Sequence, residues 1–233
     1  MLSPTLVKII NILPDSAIRF AANKIVDRYI KKHANLKIEG KENLDKAKGP
    51  IIFICNHLSN SDGLILNKLL KDFDPTFVAG VKLSKDATTS LGTKLVKTTN
   101  IKPNSADKEA LKNIISILKS GRNIVIFPEG TRSRSKAMME GKKGIILIAR
   151  LSGASIIPIG MAGTEKLLPI NEEGDMGSEV WQDADVTVKI GEGFQLPKKE
   201  KDEDRKDYEE RLMNEIMGNI ARLLPESYRG VYK

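Results

Sequence analysis

The chain has 233 residues, 40% of them hydrophobic and 29% charged, which suits one substantial globular domain and assigns no part to disorder on composition. Lys and Arg number 38 against 30 acids, and this net charge of +8 favours an anionic membrane or phosphorylated substrates; nucleic acid is disfavoured because aromatics are only 5%, without basic–aromatic interleaving. The single cysteine, Cys55, excludes an internal disulfide and any CxxC motif, and two distant histidines with scattered acids imply no metal.

Residues 3–32 read as two short amphipathic helices. Leu2, Leu6, Ile9, Ile10 and Leu13 gather on one side of the first, which Pro14 stops. Asp15 or Ser16 caps the second, whose stripe of Ile18, Ala21, Ala22, Ile25 and Tyr29 lies opposite Arg19, Lys24, Arg28, Lys31 and Lys32. Such a pair serves equally as a packed arm or as an in-plane membrane anchor, with lysines among the headgroups. No run reaches the ~18 apolar residues of a spanning helix. Lys8 and Asp15 interrupt the first apolar run and no Ala-x-Ala site follows, so a cytoplasmic protein is expected.

Strands then alternate with helices. Strands are expected at Leu36–Glu39, Ile51–Cys55, Thr76–Gly80, Thr99–Ile101, Asn123–Phe127, Ile156–Ile159 and Asp185–Ile190. Helices are expected from about Asp62 to Lys71, over Ala106–Ser120 and Gly144–Leu151, and over the charged stretch Asp202–Leu224; Ser84–Lys97 reads as helix or loop. Ser152-Gly153 ends the helix before it. The Lys198–Asp207 charge run reads as solvated linker and helix start. This order predicts an α/β fold: a mostly parallel, covered sheet with flanking helices, preceded by the N-terminal helical pair.

Two strand ends carry chemistry. Ile51–Cys55 runs into Asn56-His57-Leu58-Ser59-Asn60-Ser61-Asp62. Five residues apart in a continuous helix, His57 and Asp62 point well apart, but they meet if His57 sits in the turn and Asp62 in the helix's first turn. The pair then forms a general base with an orienting carboxylate, and the N–H groups of the helix start favour developing negative charge. Taken alone, the spacing also fits a strand end followed by a helix cap, and Ser59 and Ser61 read more readily as caps than as functional groups. Cys55 shares a strand face with His57, yet a thiol in so apolar a strand reads as buried filler rather than as a nucleophile. The second strand end, Pro128-Glu129-Gly130-Thr131-Arg132-Ser133-Arg134, offers a carboxylate, a glycine, a hydroxyl and two guanidinium groups, the last suited to bidentate phosphate binding.

Asn56-His57-x4-Asp62 and Phe127-Pro128-Glu129-Gly130-Thr131-Arg132 resemble the first and third signature blocks of the glycerolipid acyltransferases, the 1-acylglycerol-3-phosphate acyltransferase family. Ile156-Ile157-Pro158-Ile159-Gly160 resembles the fourth block, and Gly141-Lys142-Lys143-Gly144 the Lys-Gly element that trails the third; the likeness spans about residues 36–195. It implies that His57, oriented by Asp62, takes the proton from a glycerol hydroxyl, which attacks an acyl thioester of coenzyme A or acyl carrier protein. No covalent enzyme intermediate and no bound cofactor are implied. Glu129, Gly130, Thr131 and Arg132 would bind the phosphate–glycerol end of the acceptor. One block departs from the pattern: Thr98-Thr99-Asn100-Ile101-Lys102-Pro103-Asn104 lacks the phosphate-binding Arg of the second block. Lys102 stands there as a point charge, and Lys82 or Lys85 are alternatives beside Arg132.

The expectation is therefore an O-acyltransferase for a lysophospholipid, foremost 1-acyl-sn-glycerol 3-phosphate, attached peripherally to the cytoplasmic face of an anionic membrane. Residues 1–32 would form the membrane-association segment and 33–233 the acyltransferase domain. A lipid esterase or thioesterase, a different lysophospholipid acceptor, and a non-catalytic lipid-binding protein are the competing readings.

Overall fold

A computed structural model of the protein describes residues 15–80, 96–102, 107–171 and 178–233, with side chains of the first helix from Phe20 onward. The expected helix before Pro14 and most of the Ser84–Lys97 stretch, with Lys82 and Lys85, lie outside the described residues.

Seven strands form one sheet: β1 (Ala34–Glu39), β2 (Ile51–Cys55), β3 (Thr76–Gly80), β4 (Thr98–Ile101), β5 (Ile124–Ile126), β6 (Ser155–Ala162) and β7 (Ala184–Ile190), in the order β1-β7-β6-β2-β5-β3-β4. Every neighbouring pair is parallel except β6–β7. The sheet is thus a parallel block of five strands joined antiparallel to a parallel pair, which fits the mostly parallel sheet expected. The carboxyl ends of β2 and β5, adjacent strands, lie on the same edge.

β2 is buried along its whole length, and alternation sends its side chains into two cores. On one face Ile52 and Ile54 pack with Ile124, Ile126 and the buried faces of α4 (Lys108–Lys119), α5 (Gly144–Ser152) and α7 (Arg205–Ala221). On the other, Ile51, Phe53 and Cys55 pack with Val125, Ile157 and the buried residues Ile65 and Leu66 of α3 (Asn60–Leu69). Fully burying each such side chain contributes about 1.5–3 kcal/mol, so the strand that precedes His57 is among the best-held in the molecule. The helix after β2 covers one face and the helix after β5 covers the other. That places the strand ends of β2 and β5 at a point where connections diverge, the place where α/β sheets open a crevice.

Boundaries moved by a few residues where caps decide them. Asp107 accepts from the Ala110 N–H and opens α4 two residues later than expected, and Asp204 accepts from the Asp207 N–H and opens α7 three residues later. Gly153, at φ 66°, closes α5 in the left-handed conformation that glycine adopts without strain. Two single-turn helices, α2 (Glu42–Asp45) and α6 (Thr164–Leu167), are too short to leave a periodic signal.

The first described helix, α1 (Asp15–His33), runs directly into β1. The domain boundary expected at residue 32 therefore falls in its last turn. Ile30 is buried in the core, Asp27 pairs with Lys68 of α3 at 2.8 Å, and His33 Nδ1 meets Asp183 at 2.6 Å. The apolar stripe divides: Val26 and Ile30 face the core, whereas Phe20, Ile25 and Tyr29 remain 65%, 58% and 44% exposed. No helix among the described residues is long and apolar enough to cross a membrane.

Candidate active site

His57 is positioned by the strand that precedes it. Just past β2, the Asn56 side chain replaces a ladder residue: its amide donates to Met161 O at 2.9 Å and accepts from Met161 N at 2.8 Å, bridging to β6. The His57 backbone is then held from β5, its N–H donating to Glu129 Oε1 at 2.9 Å and its carbonyl accepting from Ser133 N at 2.8 Å. The imidazole stacks on Phe127, with ring centroids 3.9 Å apart and planes 15° from parallel.

Asp62 meets His57 as the spacing predicts. Its Oδ2 lies 2.8 Å from His57 Nδ1 and also accepts from the N–H groups of Leu58 at 2.7 Å and Ser59 at 2.8 Å. Asp62 is wholly buried, and an acceptor holding three donors assigns the proton to Nδ1 and leaves Nε2 as the basic nitrogen. The local cause is a capping box: the Ser59 side chain caps the start of α3 while Asp62 reaches back to the Ser59 N–H. Capping and His orientation are thus one structure, not competing readings.

Ser59 and Ser61 are also wholly buried, with Ser59 Oγ donating to Leu168 O at 2.7 Å and Ser61 N donating to Ser59 Oγ at 3.1 Å. Both serve the fold. Of the helix-start N–H groups expected to receive negative charge, those of Ser59 and Ser61 are engaged, donating to Asp62 Oδ2 and Ser59 Oγ. Cys55 is fully buried, and burial pushes its thiol well up, with Asp62 and Glu129 adding to the push, which removes it as a nucleophile.

Glu129 is not placed as expected. The sequence reading put its carboxylate on the acceptor, but the residue is 1% exposed and faces inward. Its two oxygens accept from His57 N and from Met139 N, both at 2.9 Å, so it ties the β2 strand end to the long loop between β5 and α5. Gly130, at φ 73°, turns the chain beside it, and a β-carbon there would also meet the Lys142 side chain at 3.4 Å. Gly130 and Thr131 are exposed at the mouth of the turn. The far side of the loop is pinned by the C-terminal segment, with Met138 N donating to Tyr228 O at 2.8 Å and Gly141 N to the Tyr232 hydroxyl at 3.0 Å.

Burial raises the Glu129 carboxyl from 4.5 to about 7, Asp62 adds a smaller push, and the bonds from Met139 and His57 pull the other way. A carboxyl raised on folding contributes stability that is fully present below its unfolded pKa and is lost as pH rises through its folded one. The unfolding free energy is therefore expected to fall by up to about 3 kcal/mol between pH 4.5 and 7. Urea titrations of wild type and Glu129→Gln across that window check this: the Gln variant should lack this component, and parallel pH curves would refute it.

Arg132 sits beyond the turn, 15% exposed, with Nη1 donating to Glu179 Oε1 at 2.5 Å. Nothing in the sequence marked Glu179, which lies before β7 and reaches the site only through the fold. Lys102 is exposed at the end of β4, its backbone N–H donating to Asp107 at 3.0 Å. Two strands separate β4 from β2, a distance of about 14 Å at the usual strand spacing. Lys102 thus shares the sheet edge with His57 but not the hydrogen-bonded set of His57, Asp62 and Glu129.

Comparison with known proteins bears on this arrangement. A family model described as Acyltransferase matches residues 35–162, which include both strand ends. A chloroplast 1-acyl-sn-glycerol-3-phosphate acyltransferase of Arabidopsis thaliana is 32% identical over 142 residues, 60% of this chain and 39% of that protein. The 1-acyl-sn-glycerol-3-phosphate acyltransferase of Saccharomyces cerevisiae is 31% identical over 141 residues, 58% of this chain and 45% of that protein. The chain thus spans less than half the length of these curated relatives. The crystal structure of the 1-acyl-sn-glycerophosphate acyltransferase PlsC of Thermotoga maritima shares the fold, with a TM-score of 0.60 at 22% identity over 93% of this chain and 87% of that one.

Proposed function

The chain belongs to the acyltransferase family, and from that premise we propose that it moves a fatty acyl group from an acyl thioester to the free hydroxyl of a lysophospholipid, with His57 as general base. The observation that carries this reading is the His57–Asp62 pair at the β2 end, held at 2.8 Å with Nε2 left for the acceptor. In the reaction, Nε2 takes the hydroxyl proton as the acceptor oxygen attacks the thioester carbonyl. The carbon–sulfur bond then breaks, and the departing thiolate takes the proton back from the imidazolium. The names of the relatives favour 1-acyl-sn-glycerol 3-phosphate as acceptor, giving phosphatidic acid, with Arg132 on its phosphate. Coenzyme A and acyl carrier protein both fit as donor carriers. Glu129 braces the loop through its bonds to His57 and Met139.

Peripheral attachment to the cytoplasmic face of an anionic membrane fits the exposed Phe20, Ile25 and Tyr29 of α1 beside its lysines. One assay tests both parts. With lysophosphatidate present, thiol release should match phosphatidate formed; equal thiol release without acceptor would identify a thioesterase instead. Phe20→Ser with Ile25→Ser should lower turnover several-fold on anionic vesicles and leave it unchanged in detergent micelles. Equal loss in both settings would remove the membrane role.

A further inference from the structure

Arg132 is a largely covered cation at the edge of the site, and an arginine so placed favours a counter-charge. Glu179 supplies it. The Glu179 side chain is 1% exposed and divides its carboxylate between two partners: Oε1 accepts from Arg132 Nη1 at 2.5 Å, and Oε2 accepts from Asn60 Nδ2 at 2.7 Å. Asn60 is the first residue of α3, the helix whose first turn carries Asp62. One carboxylate therefore connects the loop after β5 to the helix after β2. Its own segment is anchored as well: Trp181 packs on the core and Gln182 N donates to Leu167 O at 2.8 Å.

We propose that Glu179 is a positioning residue that sets the orientation of Arg132 toward the acceptor phosphate and keeps it in register with the His57–Asp62 pair. This rests on the acyltransferase reading above. A guanidinium is a rigid planar fork tethered at Nε by its own side chain, so a second anchor at Nη1 narrows the directions open to the other donors. Because Oε2 is taken by Asn60, Glu179 holds Arg132 through Nη1 alone rather than by both forks. The carboxylate thereby restricts the guanidinium without occupying its whole edge. Arg132 is kept from swinging into solvent, and the distance between the phosphate and the hydroxyl presented to His57 is fixed by the protein.

Glu179→Gln tests this. The amide has the same shape and, if the Asn60 amide flips to present its oxygen, can still meet both partners, so the substitution removes the charge that holds Arg132. In the wild-type background, KM for lysophosphatidate should rise about tenfold or more, the size of a charge-assisted hydrogen bond, with KM for the acyl thioester unchanged and kcat within about threefold. In an Arg132→Lys background the same substitution should change the lysophosphatidate KM less than about twofold. Transfer to monoacylglycerol, which lacks the phosphate, should be indifferent to Glu179→Gln. Equal loss with both acceptors, or undiminished loss beside Arg132→Lys, would make Glu179 a structural residue and overturn the proposal. An unchanged or lowered lysophosphatidate KM would overturn it too. Thermal midpoints report folding, and if Glu179→Gln does not fold, Asn60→Ala supplies the test by removing only the second anchor, with about a threefold rise expected and no rise refuting. Wild-type protein that forms no acylated lysolipid would instead defeat the acyltransferase reading; wild-type transfer with a silent Glu179→Gln defeats the positioning role alone.

Discussion

His57→Ala is expected to lower kcat and kcat/KM together by about 10³–10⁴-fold, with KM for both substrates nearly constant. The scale follows from the task assigned to Nε2: a positioned general base contributes about 10²–10⁴ on its own, and its removal also strands the orienting carboxylate. Folding should survive, because the contacts that organise the β2 end belong to the backbone. The His57 N–H bond to Glu129 and the carbonyl bond from Ser133 persist whatever side chain is present. What is lost besides chemistry is the stacking on Phe127, worth about 1 kcal/mol for an aromatic pair. Turnover of lysophosphatidate within tenfold of wild type, measured on folded protein, would take the base out of the mechanism and leave the site without a proton acceptor.

The sequence disclosed this half of the site because its determinants are local. His57, Ser59 and Asp62 lie within six positions, and the capping box that unites them is written in that short stretch. β2 was equally plain: five apolar residues, bounded by Pro50 and Asn56, with nothing polar to interrupt burial on either face. The supporting residues were hidden because their partners lie far along the chain. Glu129 reaches His57 across 72 positions, Asn56 reaches Met161 across 105, and Asn60 reaches Glu179 across 119. Glu129 was therefore read by its chemistry, as a carboxylate near a phosphate, when its burial makes it a brace. Sheet order was hidden for the same reason. The alternation of β7 marks a half-covered strand without saying that it pairs antiparallel with β6 and parallel with β1. For α1, amphipathicity identified a helix but not that it has two apolar aspects, one packed through Ile30 and one exposed at Phe20, Ile25 and Tyr29.

Asp62→Asn is expected to lower kcat by about 10²–10³-fold, less than loss of the imidazole, and the geometry says why. In Ser-His-Asp enzymes the equivalent change costs about 10⁴, because the amide imposes the wrong tautomer on the histidine. Here Oδ2 holds all three donors, from His57, Leu58 and Ser59, while Oδ1 has no partner. Asparagine can therefore place its carbonyl oxygen at the Oδ2 position and its amide nitrogen at the other. The reverse orientation would set the amide against three donors. Hydrogen bonding and tautomer are kept, the negative charge that stabilises the imidazolium is removed, and the buried amide nitrogen is left unpaired at a cost of about 1–3 kcal/mol in stability. Asp62→Ala removes the acceptor as well as the charge, so its kcat should approach that of His57→Ala. Since Asp62 acts through His57, adding Asp62→Asn to His57→Ala should change the residual rate less than about threefold. Steady-state rates for the four variants decide it. Multiplying losses in the double variant would show that Asp62 contributes by a route that does not pass through the imidazole.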